Sequence, residues 1–266
     1  MTSPGAIKTG GAILLLIASS LRLLFGDATQ VFRSGDGHVA LLELYTSEGC
    51  SSCPPAEAWF SSLKSNAFLW KRFVPVAFHV DYWNYLGWAD PYSSADYSNR
   101  QRAYGNAWQK AGIYTPEFVL DGREWRSDSM EISSPSAGNY GSLSVTVTAG
   151  GKVGILYKTA IRPTTPFVAE LALLGGGISS AVSSGENSGK TLHHDFLALV
   201  LIESALRASE NGTYKTEITL PKHSSIPPQA IAIWIRDEQN QIPIQAAGGW
   251  LTPFKLESGA SKDFKE

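Results

Sequence analysis

Apolar positions follow two kinds of pattern along the chain, and the change comes near residue 140. In the first part, short continuous apolar runs alternate with helical spacing. His38 to Tyr45 reads HVALLELY and Phe73 to Val80 reads FVPVAFHV. Runs of this length, rich in β-branched and aromatic residues, fit strands buried on both faces. Between them Ala56, Trp59, Phe60 and Leu63 recur at helical spacing, predicting a helix from about Cys53 to Lys64. Ala95 to Ala111 predicts a second helix, and Glu117 to Leu120 a short strand that ends at Asp121-Gly122, a strong tight-turn signal. Strand, helix, strand, helix, strand and hairpin is an α/β order.

In the second part the period becomes two. Ser133 to Gly141 reads as a linker, and Leu143 to Ala149 then alternates as LSVTVTA. Val153 to Ala160, Phe167 to Leu174, Phe196 to Ile202, Tyr214 to Leu220 and Ala230 to Ile235 are further strand candidates. Gly and Pro turns separate several of them, which predicts a β-sandwich. The expected architecture is therefore an α/β domain over residues 30–132, followed by a smaller all-β sandwich-like domain over 142–256. Residues 257–266 are expected to be a disordered tail.

Composition adds little to that division and excludes some functions. Of 266 residues, 43% are hydrophobic and 17% charged, which is globular and sufficient for a sizeable core. A net charge of −2 carries no electrostatic footprint for nucleic acid. At the N-terminus, Lys8 precedes the apolar run Gly11 to Ala18 and the small residues Ser19 and Ser20. This pattern predicts a signal peptide within residues 1–28, or an N-terminal membrane anchor, and hence an exported protein, periplasmic or secreted.

The chain has two cysteines, Cys50 and Cys53, in the sequence Cys-Ser-Ser-Cys. A bridge across so short a loop removes little entropy from the unfolded chain and makes a poor staple. The pair follows a strand and opens a helix whose first turn carries Pro54-Pro55, residues suited to a place where a missing N–H costs nothing. A helix N-terminus can lower a thiol pKa from about 8.5 into the range of roughly 3.5–7.5. That position assigns roles: Cys50, just before the helix, is the exposed attacking thiol, and Cys53, one turn inward, is the resolving thiol. The rival uses are a static disulfide, or capture of a soft metal such as Cu(I) by the two thiolates. His79 and Asp81 lie at the end of the second strand, where open α/β sheets gather ligands. They are candidates for proton transfer or for a polar wall near Cys50, or else a packed histidine and a turn aspartate. Tyr82, Trp83, Tyr85, Trp88 and Tyr92 form an aromatic loop, either a substrate lip or an interdomain contact. Glu48 reads as a solvated turn residue, and Arg100 and Arg102 as helix-surface salt-bridge partners. His193, His194 and Asp195 are adjacent, so a strand sends them to opposite faces and no metal site is assigned. No cofactor is expected.

Residues 39–126 resemble the thioredoxin superfamily. More closely, LELYTSEGCSSCPPAEAW (42–59), FVPVAFHVDYWNYLGWADPYSS (73–94), RQRAY (100–104), IYTPEFVLDGR (113–123) and GENSGKTLHHDF (185–196) resemble the domain-of-unknown-function family numbered 1223, a group of exported bacterial proteins. The thioredoxin-like resemblance implies a cis proline facing the cysteine pair, a place that Thr115 and Pro116 match as substrate-positioning residues. The expected function is that of a thiol–disulfide oxidoreductase-like protein whose partner is a protein or small-molecule thiol or disulfide. The alternatives are an exported copper-binding protein, or a non-enzymatic binding protein with a static disulfide.

Overall fold

A computed structural model describes residues 29–35, 37–126, 138, 140–160, 163–221 and 225–252. The expected signal peptide or anchor, most of the expected linker and the expected tail lie outside the described residues. The strands, in chain order, are β1 (Thr29–Arg33), β2 (Ala40–Thr46), β3 (Phe73–His79), β4 (Glu117–Leu120), β5 (Arg123–Glu124), β6 (Ser142–Thr148), β7 (Lys152–Lys158), β8 (Phe167–Gly175), β9 (Ile178–Ala181), β10 (Thr191–His194), β11 (Leu197–Ala205), β12 (Arg207–Ala208), β13 (Thr213–Thr219), β14 (Ala230–Asp237) and β15 (Pro243–Trp250). Two α-helices, α1 (Pro54–Ser62) and α2 (Ala95–Ala107), lie among them.

The expected α/β thioredoxin-like domain beside a separate all-β sandwich is overturned by the sheet order. One eight-stranded mixed sheet runs β15-β14-β8-β11-β3-β2-β4-β5. Its centre is a seam at which β11 pairs in parallel with β3, Leu197 opposite Ala77, so strands from both halves of the sequence share one ladder. The described residues are mainly β, with only two α-helices among them. Continuous apolar strands set this outcome. β3 and β8 are buried at every position, so each needs a layer on both faces and a neighbour on both edges.

Side-chain alternation sorts the layers. On one face Leu41 and Tyr45 of β2, Val74, Val76 and Phe78 of β3, Leu174 of β8 and Trp234 of β14 form a single core with Tyr97 and Tyr104 of α2. On the opposite face Leu42 and Leu44 of β2 pack on Phe60 of α1. Farther along that face Leu171 and Leu173 of β8 and Ile231 and Ile233 of β14 meet a second sheet, ordered β1-β6-β7-β13-β12. β6 alternates buried and half-buried residues, as a strand covered on one face should. The period-two reading of this region thus holds locally, but its sandwich partner is the large mixed sheet.

An ionic network fastens α2 across the seam. Arg100 is buried, with its Nε donating to Glu43 of β2 at 2.7 Å and its Nη1 donating to Glu170 of β8 at 2.6 Å. Tyr104 donates to Glu43 at 2.7 Å, and Arg236 of β14 donates to Glu170 at 2.8 Å. This corrects the reading of Arg100 as a helix-surface residue. Arg102 does face solvent, bonded to Asn99 of its own helix.

Candidate functional site

The two cysteines sit at the junction the sequence led us to expect, between β2 and α1, and they form a disulfide. Cys53 is the N-cap of α1, and Pro54 and Pro55 fill its first positions, where they supply no N–H donors. The loop closes on itself, Cys50 N–H donating to Ser47 O and Cys53 N–H to Cys50 O. Burial departs from expectation: Cys50 is only 2% exposed and Cys53 0%, so the cysteine expected to be open is covered.

Two segments provide the cover. The first is the chain before β4. Thr115-Pro116 is a cis peptide, and the Cys50 sulfur lies 3.8 Å from the Thr115 carbonyl oxygen. Trp83 holds this segment, its indole N–H donating to Thr115 Oγ1 at 2.7 Å. Gly49 is required beneath the same tryptophan, because a Cβ there would stand 3.0 Å from Trp83 Cβ and 3.3 Å from its carbonyl oxygen. The second is the turn between β9 and β10. Asn187 donates from one amide nitrogen to Glu48 O and Cys50 O, at 2.8 and 2.9 Å. Glu186 accepts from Ser51 N–H at 2.9 Å, and Ser184 Oγ donates to Gly87 O at 2.6 Å. The stretch GENSGKTLHHDF therefore reaches the cysteine loop from far along the chain.

Behind the cysteine loop lies a buried polar cluster. Glu48, Glu57, His79, Asp90 and His194 are all buried. His194 contacts Glu57 Oε2 through Nδ1 at 2.5 Å and Glu48 Oε1 through Nε2 at 2.9 Å. Thr46 Oγ1 donates to the other Glu57 oxygen at 2.6 Å, and Trp88 Nε1 to the other Glu48 oxygen at 2.7 Å. His79 Nδ1 is 2.7 Å from Asp90 Oδ2, which also accepts Glu48 N–H at 2.8 Å. The rings of His79 and His194 meet edge to face at 4.9 Å, with Tyr92 against both. Burial alone would push the His194 imidazole down, but the two carboxylates bonded to it hold it up at about 10. Burial would raise the Glu57 carboxyl, yet the His194 bond, together with the two imidazoles and the Thr46 hydroxyl beside it, outweighs burial and holds Glu57 below the ordinary carboxylate value.

Of the residues singled out from the sequence, Cys50, Cys53, Thr115 and Pro116 come together. His79 joins the cluster behind them. Asp81 does not join it, being bound instead to Ser98 of α2 through its side chain at 2.5 Å. The aromatic loop divides: Trp83 and Trp88 roof the cysteine loop, Tyr92 packs on the histidines, and Tyr85 is 80% exposed. Glu48 is buried, not solvated. Glu57, Asp90, Asn187 and His194 were missed. The alternation rule placed His193 and His194 on opposite faces, and they are so placed, His193 exposed against Ser179 and His194 buried. What the rule could not supply was a partner from another element.

Comparison with known proteins gives fold and family. No curated protein matches the chain. A solved structure of protein AGR_C_4864 from Agrobacterium tumefaciens is 21% identical, with a TM-score of 0.53, over 79% of this chain and 94% of that one. HBP35 of Porphyromonas gingivalis is 15% identical, with a TM-score of 0.57, over 88% of this chain and 81% of that one. At these identities both likenesses concern the fold alone. The profile described as "Protein of unknown function (DUF1223)" matches residues 41–236, and the chain belongs to that family.

Proposed function

We propose that the protein is an exported thiol–disulfide oxidoreductase-like protein whose redox centre is the Cys50–Cys53 pair. The observation that carries the reading is the placement of the pair: a strand, the Cys-Ser-Ser-Cys turn and a helix, with the Thr115 carbonyl 3.8 Å from the Cys50 sulfur. Locally this unit resembles a thioredoxin-like centre, although the sheet around it is larger and mostly antiparallel. A two-residue spacer makes the bridge a weak staple, so its value lies in opening and closing.

In the reducing direction the Cys50 thiolate attacks one sulfur of a partner disulfide. That S–S bond breaks, and the other partner sulfur leaves as a thiolate and takes a proton. Cys53, having lost its proton, attacks Cys50 in the mixed disulfide and releases the second partner thiol. Two electrons pass from the pair to the partner, and the reverse sequence oxidises a partner dithiol. The backbone at Thr115-Pro116 supplies an edge against which an extended partner chain can lie. Cys50 is covered, so the turn carrying Glu186 and Asn187 must lift for a partner to enter.

The test is trapping. Cys53→Ala, reacted with a small disulfide or a disulfide-bonded protein, should accumulate a mixed disulfide at Cys50, and Cys50→Ser should accumulate none. Equal and negligible labelling of both variants would defeat the reading. A static disulfide is the second reading, and the burial of both sulfurs favours it. It predicts that no mixed disulfide forms while the protein stays folded.

A further inference from the structure

We propose that Glu57, His79 and His194 form a site for one divalent transition-metal ion, of the two-imidazole, one-carboxylate class that zinc occupies. The three residues come from α1, β3 and β10, and one donor atom from each lies within 4.8 Å of the others. All three are buried, and His79 is 0% exposed.

The outer contacts select the atoms that face inward. Metal-binding imidazoles characteristically bond through their second nitrogen to a carboxylate, which fixes ring and tautomer. Asp90 stands on His79 Nδ1 and Glu48 on His194 Nε2. Thr46 occupies one oxygen of Glu57. His79 Nε2, His194 Nδ1 and Glu57 Oε2 are left, the last two bonded to each other at 2.5 Å, a contact whose proton the ion would displace. His79 Nε2 is buried and has no partner among the described residues. With Nδ1–H given to Asp90, that nitrogen carries a lone pair turned into the protein, a costly arrangement unless something accepts it. An ion accepts it.

Charge favours the same occupant. Glu48, Glu57 and Asp90 bring three carboxylates to two imidazoles inside the protein, an excess that a dication offsets. The reach is also right: bonds of about 2.0–2.2 Å put the donors of a tetrahedral ion roughly 3.3–3.6 Å apart. Glu57 and His194, 2.5 Å apart, have to part by about an ångström, and His79 has to close in from its place within 4.8 Å. Imidazole nitrogen with carboxylate oxygen is a borderline donor set, suited to Zn²⁺ and Co²⁺ and not to Ca²⁺. The site differs from capture of copper by Cys50 and Cys53, because it uses no sulfur and stands with the disulfide closed. The ion ties β3, the helix behind the cysteines and the β9–β10 hairpin at one point.

The test uses the full chain in its oxidised form, shown to have no free thiol, stripped with a chelator and then dialysed against Zn²⁺ or Co²⁺. We expect one Zn²⁺ per chain after gel filtration, and the intense visible absorption of four-coordinate Co²⁺. Glu57→Gln keeps size and hydrogen bonding and should lose the ion. Asp90→Asn leaves all three ligands and should weaken binding by about 10–100-fold. Wild-type protein that retains no zinc and shows no cobalt absorption overturns the site, leaving a hydrogen-bonded ionic cluster. Undiminished uptake by Glu57→Gln also overturns it. Because the pair stays oxidised throughout, failure here leaves the thiol chemistry standing, and failure of mixed-disulfide trapping leaves the metal site standing.

Discussion

A buried and a half-buried carboxyl show how neighbours decide what a carboxyl does here. Glu57 has an imidazole on one oxygen and a hydroxyl on the other, and it stays ionised. Asp121 has no partner so close: the nearest imidazole nitrogen, His38 Nε2, stands 3.7 Å from its Oδ2. Burial, with Glu43 nearby, pushes its carboxyl up to about 6, although it accepts the Leu41 N–H at 2.9 Å. For an acid the folded state then prefers the protonated form. Stability from this group is greatest on the acid side and declines as pH rises from its ordinary value of 3.8 to about 6. Asp121→Asn keeps the acceptor oxygen and suits the left-handed backbone there, φ 49°. It should raise stability by about 1–3 kcal/mol at pH 8 and by much less at pH 4, read by thermal unfolding of the oxidised protein. Equal effects at both pH values would contradict a charge-based cause. Another prediction at this scale concerns Asn187. Asn187→Ala removes two bonds to the cysteine loop and should speed reaction of the reduced protein with a thiol reagent several-fold; an unchanged rate would mean that this turn does not control access.

At the scale of elements, α2 is the informative case. Its position was legible in the sequence, Ala95 to Ala111 expected against Ala95–Ala107 observed, and Glu117–Leu120 was located to the residue. Its function was not. Arg100 is polar and lies on a helix, and nothing nearby in the sequence reveals that Glu43 and Glu170, 57 and 70 residues away, wait for it. Arg100→Met leaves the buried Glu43 without its cation, while Glu170 keeps Arg236, and should cost about 3–5 kcal/mol. Urea unfolding measures this, and a loss below about 1 kcal/mol would show that the network contributes little. Strands with continuous apolar runs, β2, β3, β8 and β14, were also legible. β9 and β10 were not, because ISSA and TLHH are short and polar and form only as a hairpin closed over the cysteine loop. β1 and β15 were overlooked as well; a strand such as PIQAAGGW carries little β-propensity and owes its state to its neighbours.

At the scale of the molecule, the boundary drawn near residue 140 marks a change of pattern and not a separation of folds. Local periodicity reports which faces are buried, and it is silent on which edges meet. The pairing of β11 with β3 is therefore invisible before the structure, and so is the joining of Glu48, Glu57, His79, Asp90 and His194 from across that boundary. The cysteine pair, by contrast, was legible with its strand and helix, because those are local in sequence; Thr115-Pro116, with Thr115 65 residues from Cys50, was placed only through the thioredoxin-like resemblance. A fragment ending at residue 132 exposes one edge of β3 and half of the core shared by β2, β3, β8 and β14. It should show no cooperative unfolding by calorimetry, whereas the full chain should unfold in one transition. Two separate transitions in the full chain would restore the two-domain picture. The central claim is that the Cys50–Cys53 bond opens and closes in use, and the reduction potential of the pair, measured at equilibrium against glutathione or dithiothreitol, tests it most directly. The account predicts a value within the range of working oxidoreductases, about −120 to −270 mV; a value below about −300 mV would contradict it and mark the bond as structural.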